Sequence, residues 1–355
     1  MTSNWTIYDI AQEAGVSAKT VSRVLNNKSG VGPDTRERVL EIMRRVGFHA
    51  HMGARSLRNR RSGCVGVTLP APAKVVPLSQ GFFLWLFAKL FDTFGPQGDY
   101  IGFDLNPHEQ PRGADYDYAR GVWEQLFKAC VVAGPLPVDD TVIHRLHNSE
   151  VPYLALGRLD SLPECSSATV DYEEGAYLST KFLLDRGHKR IAMLKAFEGF
   201  QPGVERDRGY RRALEEAGLA PEANLTRSVD FGVHNMGNVV HRLLADRGVT
   251  ALIDCSATED ATALREGARR AGRVPGKDFE IVAWTYTDQG AVLHEASAHV
   301  WLPVVEAASE GIEVLAAWLR EERTGPVKVL YHPVLYTTPG KGEVPRPKRL
   351  FDTLD

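Results

Sequence analysis

The sequence predicts two parts of different fold class: a small all-α head of helix-turn-helix type, and a larger α/β body built on parallel sheets. Three observations predict this. Thr6 to Asn26 reads TIYDIAQEAGVSAKTVSRVLN, two short amphipathic segments broken at Gly15-Val16. From Gly63 onward, apolar strand-like runs alternate with helix-like stretches, the pattern of parallel strands covered on both faces. Charge divides along the same line: residues 1 to 61 hold eleven Lys/Arg against five acids, a net of +6, whereas the 355-residue chain totals -3, which leaves -9 for the remainder. A small basic head suits phosphate, and a larger acidic body does not.

The head can be justified helix by helix. Ile7, Ile10, Ala11 and Ala14 recur at three- and four-residue steps, which places them on one helix face. Gly15 can take the left-handed backbone conformation that ends a helix, and Ser17 is a good N-cap for the next. In that second helix Thr20, Val21, Val24 and Leu25 are expected to turn inward while Ala18, Lys19, Ser22 and Arg23 face out, a mixed polar surface of a size that fits a major groove. A third helix is expected to begin near Pro33 to Thr35 and close the core.

The body, about Gly63 to Asp355, is long enough for one large or two medium domains at the usual roughly 100–200 residues each. Its runs are CVGVTL (64 to 69) followed by FFLWLFAKLFDTF, CVVAG (130 to 134) followed by TVIHRLHNS, and PYLALG (152 to 157). They continue with RIAMLKA (190 to 196) followed by GYRRALEEAG, ALIDCS (251 to 256) followed by TALREGARRAG, and EIVAWTY (280 to 286). The end, TTPGKGEVPRPKRLFDTLD, is rich in Pro, Gly and charge and lacks a leucine heptad, so it reads as a strand end and a tail without a coiled coil.

Catalysis is not indicated. Cys64, Cys130, Cys165 and Cys255 are isolated, show no C-x-x-C spacing, and three lie in or beside apolar runs, as buried reduced thiols do. His49-x-His51 and His144-x-x-His147 have metal-like spacing but no convincing third ligand. No P-loop, G-x-S-x-G or Rossmann glycine fingerprint occurs. No catalytic residue, metal or cofactor is therefore expected. The first twenty residues are mixed polar, and the longest apolar run, Phe82 to Leu90, is interrupted by Lys89. A cytoplasmic protein without a membrane partner is expected.

The pattern T-I-x-D-[IV]-A-x-x-A-G-V-S-x-x-T-V-S-R-V-L-N resembles the opening of LacI-type (LacI/GalR) transcriptional regulators almost letter for letter, and the likeness continues through Val31, Thr35, Arg36, Arg38 and Val39 to Gly47-Phe48. AHMGARSLRNRRSG then resembles the family's hinge, in which Gly53 to Asn59 would fold on DNA and Leu57 would enter the minor groove. VDYEEGAYLSTKFLLDRGHKRIAML (170 to 194) looks like the family's crossover helix leading into the first strand of the C-terminal subdomain, with Gly187-His188 at the helix end. Arg206 to Leu214 matches its R-x-x-G-[YFW]-x-x-A-L. Before the hinge, Phe48-His49-Ala50-His51 replaces the family's Tyr-x-Pro-Asn.

The resemblance implies four segments: a helix-turn-helix domain over 1–50, a hinge over 51–62, an effector-binding and dimerisation body of two periplasmic-binding-protein-like subdomains over 63–340, and a tail over 341–355. It implies a transcriptional regulator of repressor type, a homodimer on a pseudo-palindromic double-stranded DNA operator, with affinity set by a small molecule in the cleft. Bases would be chosen by residues 18, 19 and 23: Lys19 and Arg23 can donate to guanine, and Ala18 can touch a thymine methyl. Thr6, Tyr8, Ser17, Thr20, Ser22 and Asn26 would set phosphates and register, with Arg55, Ser56 and Leu57 in the hinge.

For the effector, a sugar, sugar acid or other metabolite, the resemblance implies Arg206 as a forked donor, Phe231 as a stacking ring, and one of Phe82 and Phe83 lining the cleft. The family's Asn-Asp and G-[FY]-D-D elements are replaced by Ala257-Thr258 and Ala283-Trp284-Thr285-Tyr286. Trp284 and Tyr286 point to a more aromatic site, with Thr285 between them as a further effector contact and Asp254, Glu259, Asp260 or Asp288 as alternative carboxylates. Two other readings stay open: a ligand-independent or activating regulator with a degenerate cleft, and a binding protein or enzyme on the same body.

Overall fold

A computed structural model of the chain describes residues 5–25, 28–46, 48, 63–70, 81–104, 117–196, 198–229, 235–256, 261–286, 293 and 295–337. It divides into two units, residues 1–63 and 64–355.

Among the described residues, the first unit holds three helices, α1 (Ile7–Ala14), α2 (Ala18–Leu25) and α3 (Pro33–Val46). A capping box opens α1: the Asp9 N–H donates to Thr6 Oγ1 (3.4 Å) and the Thr6 N–H to the Asp9 carboxylate (2.7 Å), which satisfies two backbone donors that helix geometry leaves over. Gly15 ends α1 at φ 63°, a conformation that costs glycine little. Ser17 Oγ then accepts the Thr20 N–H at 3.1 Å, starting α2. Ile10, Ala11, Ala14, Val21, Val24, Val39, Ile42 and Met43 form the shared core.

The second unit holds two six-stranded sheets. In the first, β1 (Cys64–Thr68), β2 (Tyr100–Asp104), β3 (Ala129–Val132), β4 (Tyr153–Ala155) and β5 (Ser167–Val170) are joined by a late strand, β11 (Lys328–Tyr331), in the order β11-β5-β4-β3-β1-β2. In the second, β6 (Ile191–Ala196), β7 (Thr226–Val229), β8 (Ala251–Asp254), β9 (Glu280–Thr285), β10 (Ala298–Trp301) and β12 (Val334–Thr337) lie in the order β12-β10-β9-β8-β6-β7. Among the described residues, the strand ladders are parallel except β10 with β12. This makes the second sheet mixed at one edge, as is common for large sheets of this kind.

Helices α4 (Gly81–Phe94), α5 (Arg120–Trp123), α6 (Thr141–His147), α7 (Tyr172–Asp185), α8 (Gln201–Glu216), α9 (Met236–Ala245), α10 (Thr262–Arg270) and α11 (Val304–Leu319) connect the strands. The central strands β1, β3, β4 and β8 are buried along their whole length, which is why they read as continuous apolar runs. The chain passes from β5 through α7 to the second sheet, returns through α11 to β11, and crosses again to β12. As expected, 170–194 supplies the first crossover: Asp171 caps α7, Gly187 (φ 90°) follows its end, and β6 begins at Ile191.

Gly209 gives the R-x-x-G motif a physical reason. A Cβ there would lie 1.9 Å from the Glu173 carbonyl oxygen, so only glycine lets α8 approach the backbone of α7 this closely.

Candidate DNA-reading face and ligand cleft

On α2, Lys19 and Arg23 are exposed, whereas Ala18 and Thr20 are half-buried. Ser22, expected on the outward face, is instead buried at 6% exposure. It follows Val21 by about 100° of helix rotation, which puts it on the flank of the buried stripe and not opposite it. Tyr8 projects from α1 at 73% exposure. Thr6 is exposed, but its hydroxyl is tied to Asp9 (2.7 Å); that hydrogen bond, with the one from the Thr6 backbone, holds the Asp9 carboxyl below its ordinary range. Ser17 and Thr20 hydroxyls share a 2.9 Å hydrogen bond. Local bonding therefore fixes the start of α2 and leaves two long cationic side chains outward. Asn26, Arg55, Ser56 and Leu57 lie outside the described residues.

In the body, the C-terminal ends of parallel strands are where ligands bind open α/β sheets. Arg206, in α8, is fully buried. Its guanidinium carbon sits 4.9 Å from the Tyr172 ring centre and 5.0 Å from that of Trp284, and those rings are nearly parallel, at 16° with centres 6.4 Å apart. The two stacked rings thus form one aromatic wall against the cation. Nη1 donates to the Ala196 carbonyl (3.4 Å), and the positive charge of Arg206 opposes the upward push that burial gives the Tyr286 phenol. Burial pushes the Tyr172 and Tyr286 phenols up.

Trp284 is only 4% exposed, and its Nε1 donates to Ser179 Oγ at 3.0 Å. One reason for a tryptophan here is therefore the packing of β9 on α7. Thr285 is buried as well. Phe83 packs into the core of the first sheet while Phe82 is half-buried, set edge-on to it with ring centres 5.7 Å apart. Asp254 accepts from the Ser256 N–H (3.0 Å) and hydroxyl (2.5 Å), and burial pushes its carboxyl up. Phe231, Glu259, Asp260 and Asp288 lie outside the described residues.

Sequence reasoning named Arg206, Trp284 and Tyr286, which the fold brings together, but missed Tyr172. Its signal was its place: the first residue after an aspartate cap at the end of a buried strand, where a parallel sheet opens toward a ligand.

The cysteines are free and buried. Burial pushes the Cys130 thiol up to about 12 and the Cys165 thiol to about 11, so they are protonated and unreactive. His144 and His147 bond Ser161 (3.0 Å) and Tyr153 (2.9 Å). Among the described residues, no group of three or more His, Cys, Asp or Glu is arranged to hold a metal, and no helix is long and apolar enough to cross a membrane. Along α4 and the edge strand β2, Leu84, Phe91, Tyr100 and Phe103 are exposed, at 73, 67, 58 and 45%.

Comparison with known proteins places both units. The family described as "Bacterial regulatory proteins, lacI family" matches residues 6–51, and "Periplasmic binding protein-like domain" matches 180–337. Catabolite control protein A of Priestia megaterium is 27% identical over 321 residues, 90% of this chain and 94% of that protein. Among solved structures, the lac repressor dimer bound to operator and the anti-inducer ONPF matches with a TM-score of 0.72 at 20% identity, over 94% of this chain and 98% of that one. The transcriptional regulator CelR in complex with cellobiose matches with a TM-score of 0.63 at 24% identity, over 94% of this chain and 99% of that one.

Proposed function

We propose, for a chain that belongs to the LacI family of bacterial regulatory proteins and is a DNA-binding transcriptional regulator and not an enzyme, that it acts as a homodimeric repressor whose operator affinity is set by a small molecule in the cleft. The observation that carries this reading is the outward pair Lys19 and Arg23 on a capped α2 over a closed three-helix core. Lys19 and Arg23 donate to guanine edges, Ala18 meets a thymine methyl, and Thr6, Tyr8, Ser17, Thr20 and Asn26 fix phosphates and register. Arg55 and Ser56 support Leu57, which enters the minor groove and kinks the duplex.

A two-fold dimer presents two such helices to successive major grooves, so its site is pseudo-palindromic. The exposed apolar side chains of α4 and β2 support dimerisation through that face, since such patches mark contact surfaces, and the similar lac repressor structure is a dimer on its operator. DNA binding also sets the place of action in the cytoplasm. The segments are 1–50 for the head, 51–62 for the hinge, 63–340 for the body and 341–355 for the tail.

The effector is held beside Arg206, between Phe82, Trp284, Thr285, Tyr286 and Phe231, and it changes operator affinity by binding two states of the body unequally. A sugar or sugar acid is supported by the cellobiose complex of CelR. A ligand-independent regulator is favoured by one observation, the engagement of Trp284 with Ser179 and Arg206. Thermal shift against a panel of sugars, sugar acids and other metabolites separates the two: stabilisation by one of them supports an effector site, and none supports the degenerate cleft.

The DNA reading is tested by selecting random duplexes with the purified protein at moderate salt. Enrichment of a two-fold symmetric site is expected, with specificity relaxed at one base pair per half-site by Arg23→Ala and binding weakened by Leu57→Ala. Binding without sequence preference would overturn it.

A further inference from the structure

Besides the chain crossings, the two sheets of the body are joined by contacts between loops that follow strands in different sheets. After β3, residues 136–138 run antiparallel to residues 199–201, which follow β6. The Gln201 N–H donates to the Leu136 carbonyl (2.9 Å), the Val138 N–H donates to the Gly199 carbonyl (3.1 Å), and Pro137 pairs with Phe200 between them. Gly199 sits at φ 79°, a backbone geometry that glycine tolerates and that turns its carbonyl into the bridge.

A second set of contacts follows β4. Arg158 donates through Nε and Nη2 to the two carboxylate oxygens of Glu205 in α8 (2.9 and 3.2 Å), and Nη2 also reaches Asp171 (3.1 Å). Two residues on, Asp160 accepts from Arg208, whose Nε is held by Glu173 (2.9 Å). Glu205 is 1% exposed; burial pushes its carboxyl up, and Arg158 opposes that shift. The Arg158 fork is the two-pronged geometry that fixes orientation as well as charge.

We propose that these contacts form a latch that holds the jaws of the cleft together before any ligand binds, so that the closed body is the resting state and a ligand acts by shifting the latch. Both components suit a switch. When the jaws part, the two backbone hydrogen bonds and the Arg158–Glu205 pair are exchanged for bonds to water, so the groups are rehydrated and not stranded in the core. Opening is then cheap enough for differential ligand affinity to drive. The regulatory consequence rests on the function proposed above; the latch itself does not.

The test uses the effector-free, full-length protein. Pro137 and Phe200 form the pair flanked by two hydrogen bonds, where opposed Cα atoms lie roughly 4.5 Å apart, within the range of a disulfide. In Pro137→Cys/Phe200→Cys under mild oxidant, an intramolecular disulfide is expected to form nearly to completion, read as a two-dalton mass loss, while the buried native thiols stay reduced. In the Asp160→Asn/Glu205→Gln background its rate is expected to fall about tenfold. Failure to cross-link, or equal rates in the two backgrounds, overturns the latch.

Should the cysteine pair impair folding, small-angle scattering of Asp160→Asn/Glu205→Gln alone against the natural protein decides. A larger radius of gyration with unchanged circular dichroism supports the latch, and an equal radius overturns it. Neither readout involves DNA, so failure here leaves operator recognition standing, and failure of operator recognition leaves the cross-link result standing.

Discussion

The head and the body use positive charge in opposite ways. On α2 the head leaves Lys19 and Arg23 in solvent, above a core made of small and branched apolar side chains. The body buries Arg206 completely against two aromatic rings and forks Arg158 onto a carboxylate that is 1% exposed. An exposed cation contributes little to stability and is available to a polyanion; a buried one is part of the packing. Substitutions in the two regions should therefore separate folding from recognition.

The largest expected effect lies in the body. Gly209→Ala would force a methyl group into the Glu173 carbonyl of the neighbouring helix, and overpacking that backbone contact should cost about 3 kcal/mol. A fall of several degrees in the melting temperature of the body is expected in calorimetry; an unchanged value would mean that α7 and α8 can separate freely.

Arg23→Ala should do the reverse. Loss of a forked base contact is expected to weaken operator binding by about 1–3 kcal/mol, while the melting temperature stays within the scatter of ordinary surface changes, about 0.5 kcal/mol. A matching loss of stability would break the contrast between the two regions.

Thr6→Ala removes one half of the capping box on α1 and should destabilise the head by about 1 kcal/mol. The effect should appear in hydrogen exchange of the Asp9 amide, which donates to Thr6, and leave the exchange of β3 and β8 amides unchanged.

The smallest effect concerns Glu280. Burial works against its charge, but hydrogen bonds from His188 and Ser297, with Arg186 beside it, hold its carboxyl below the ordinary value. A depressed acid contributes stability above its unfolded pKa and loses it as pH falls through the folded one. Acid titration of body stability should therefore lose part of its slope below the ordinary glutamate range in Glu280→Gln, measured by denaturant midpoints across pH.

Much of this architecture was legible because buried central strands must be apolar along their length. CVGVTL, RIAMLKA, ALIDCS and EIVAWTY each contain a strand at or within a residue or two of the run's limits. The edge strands were not legible. YIGFD, TRSV and VLYT face solvent along part of their length, so their sequences carry no continuous run, and the partner of β12, the antiparallel β10, lies before α11 and β11 in the chain.

The same limit applies to the cleft. The R-x-x-G motif pointed to Arg206, but the rings it packs against come from Tyr172 and Trp284, on other elements of the fold. The error at Ser22 has a local cause: with only eight residues in α2, a position on the flank of the apolar stripe is assigned to solvent or core by its neighbours in space and not by periodicity alone.

The late return of the chain to the first sheet has a consequence for biosynthesis. Val327 donates its N–H to Ser166 Oγ across a separation of 161 residues, and β11 pairs beside that contact. At a synthesis rate of roughly 5–20 residues per second, the outer edge of β5 waits on the order of ten seconds or more for its partner. During that interval it is an uncovered template for strand addition, so the nascent chain, more than the finished protein, is where this fold is exposed to misassembly.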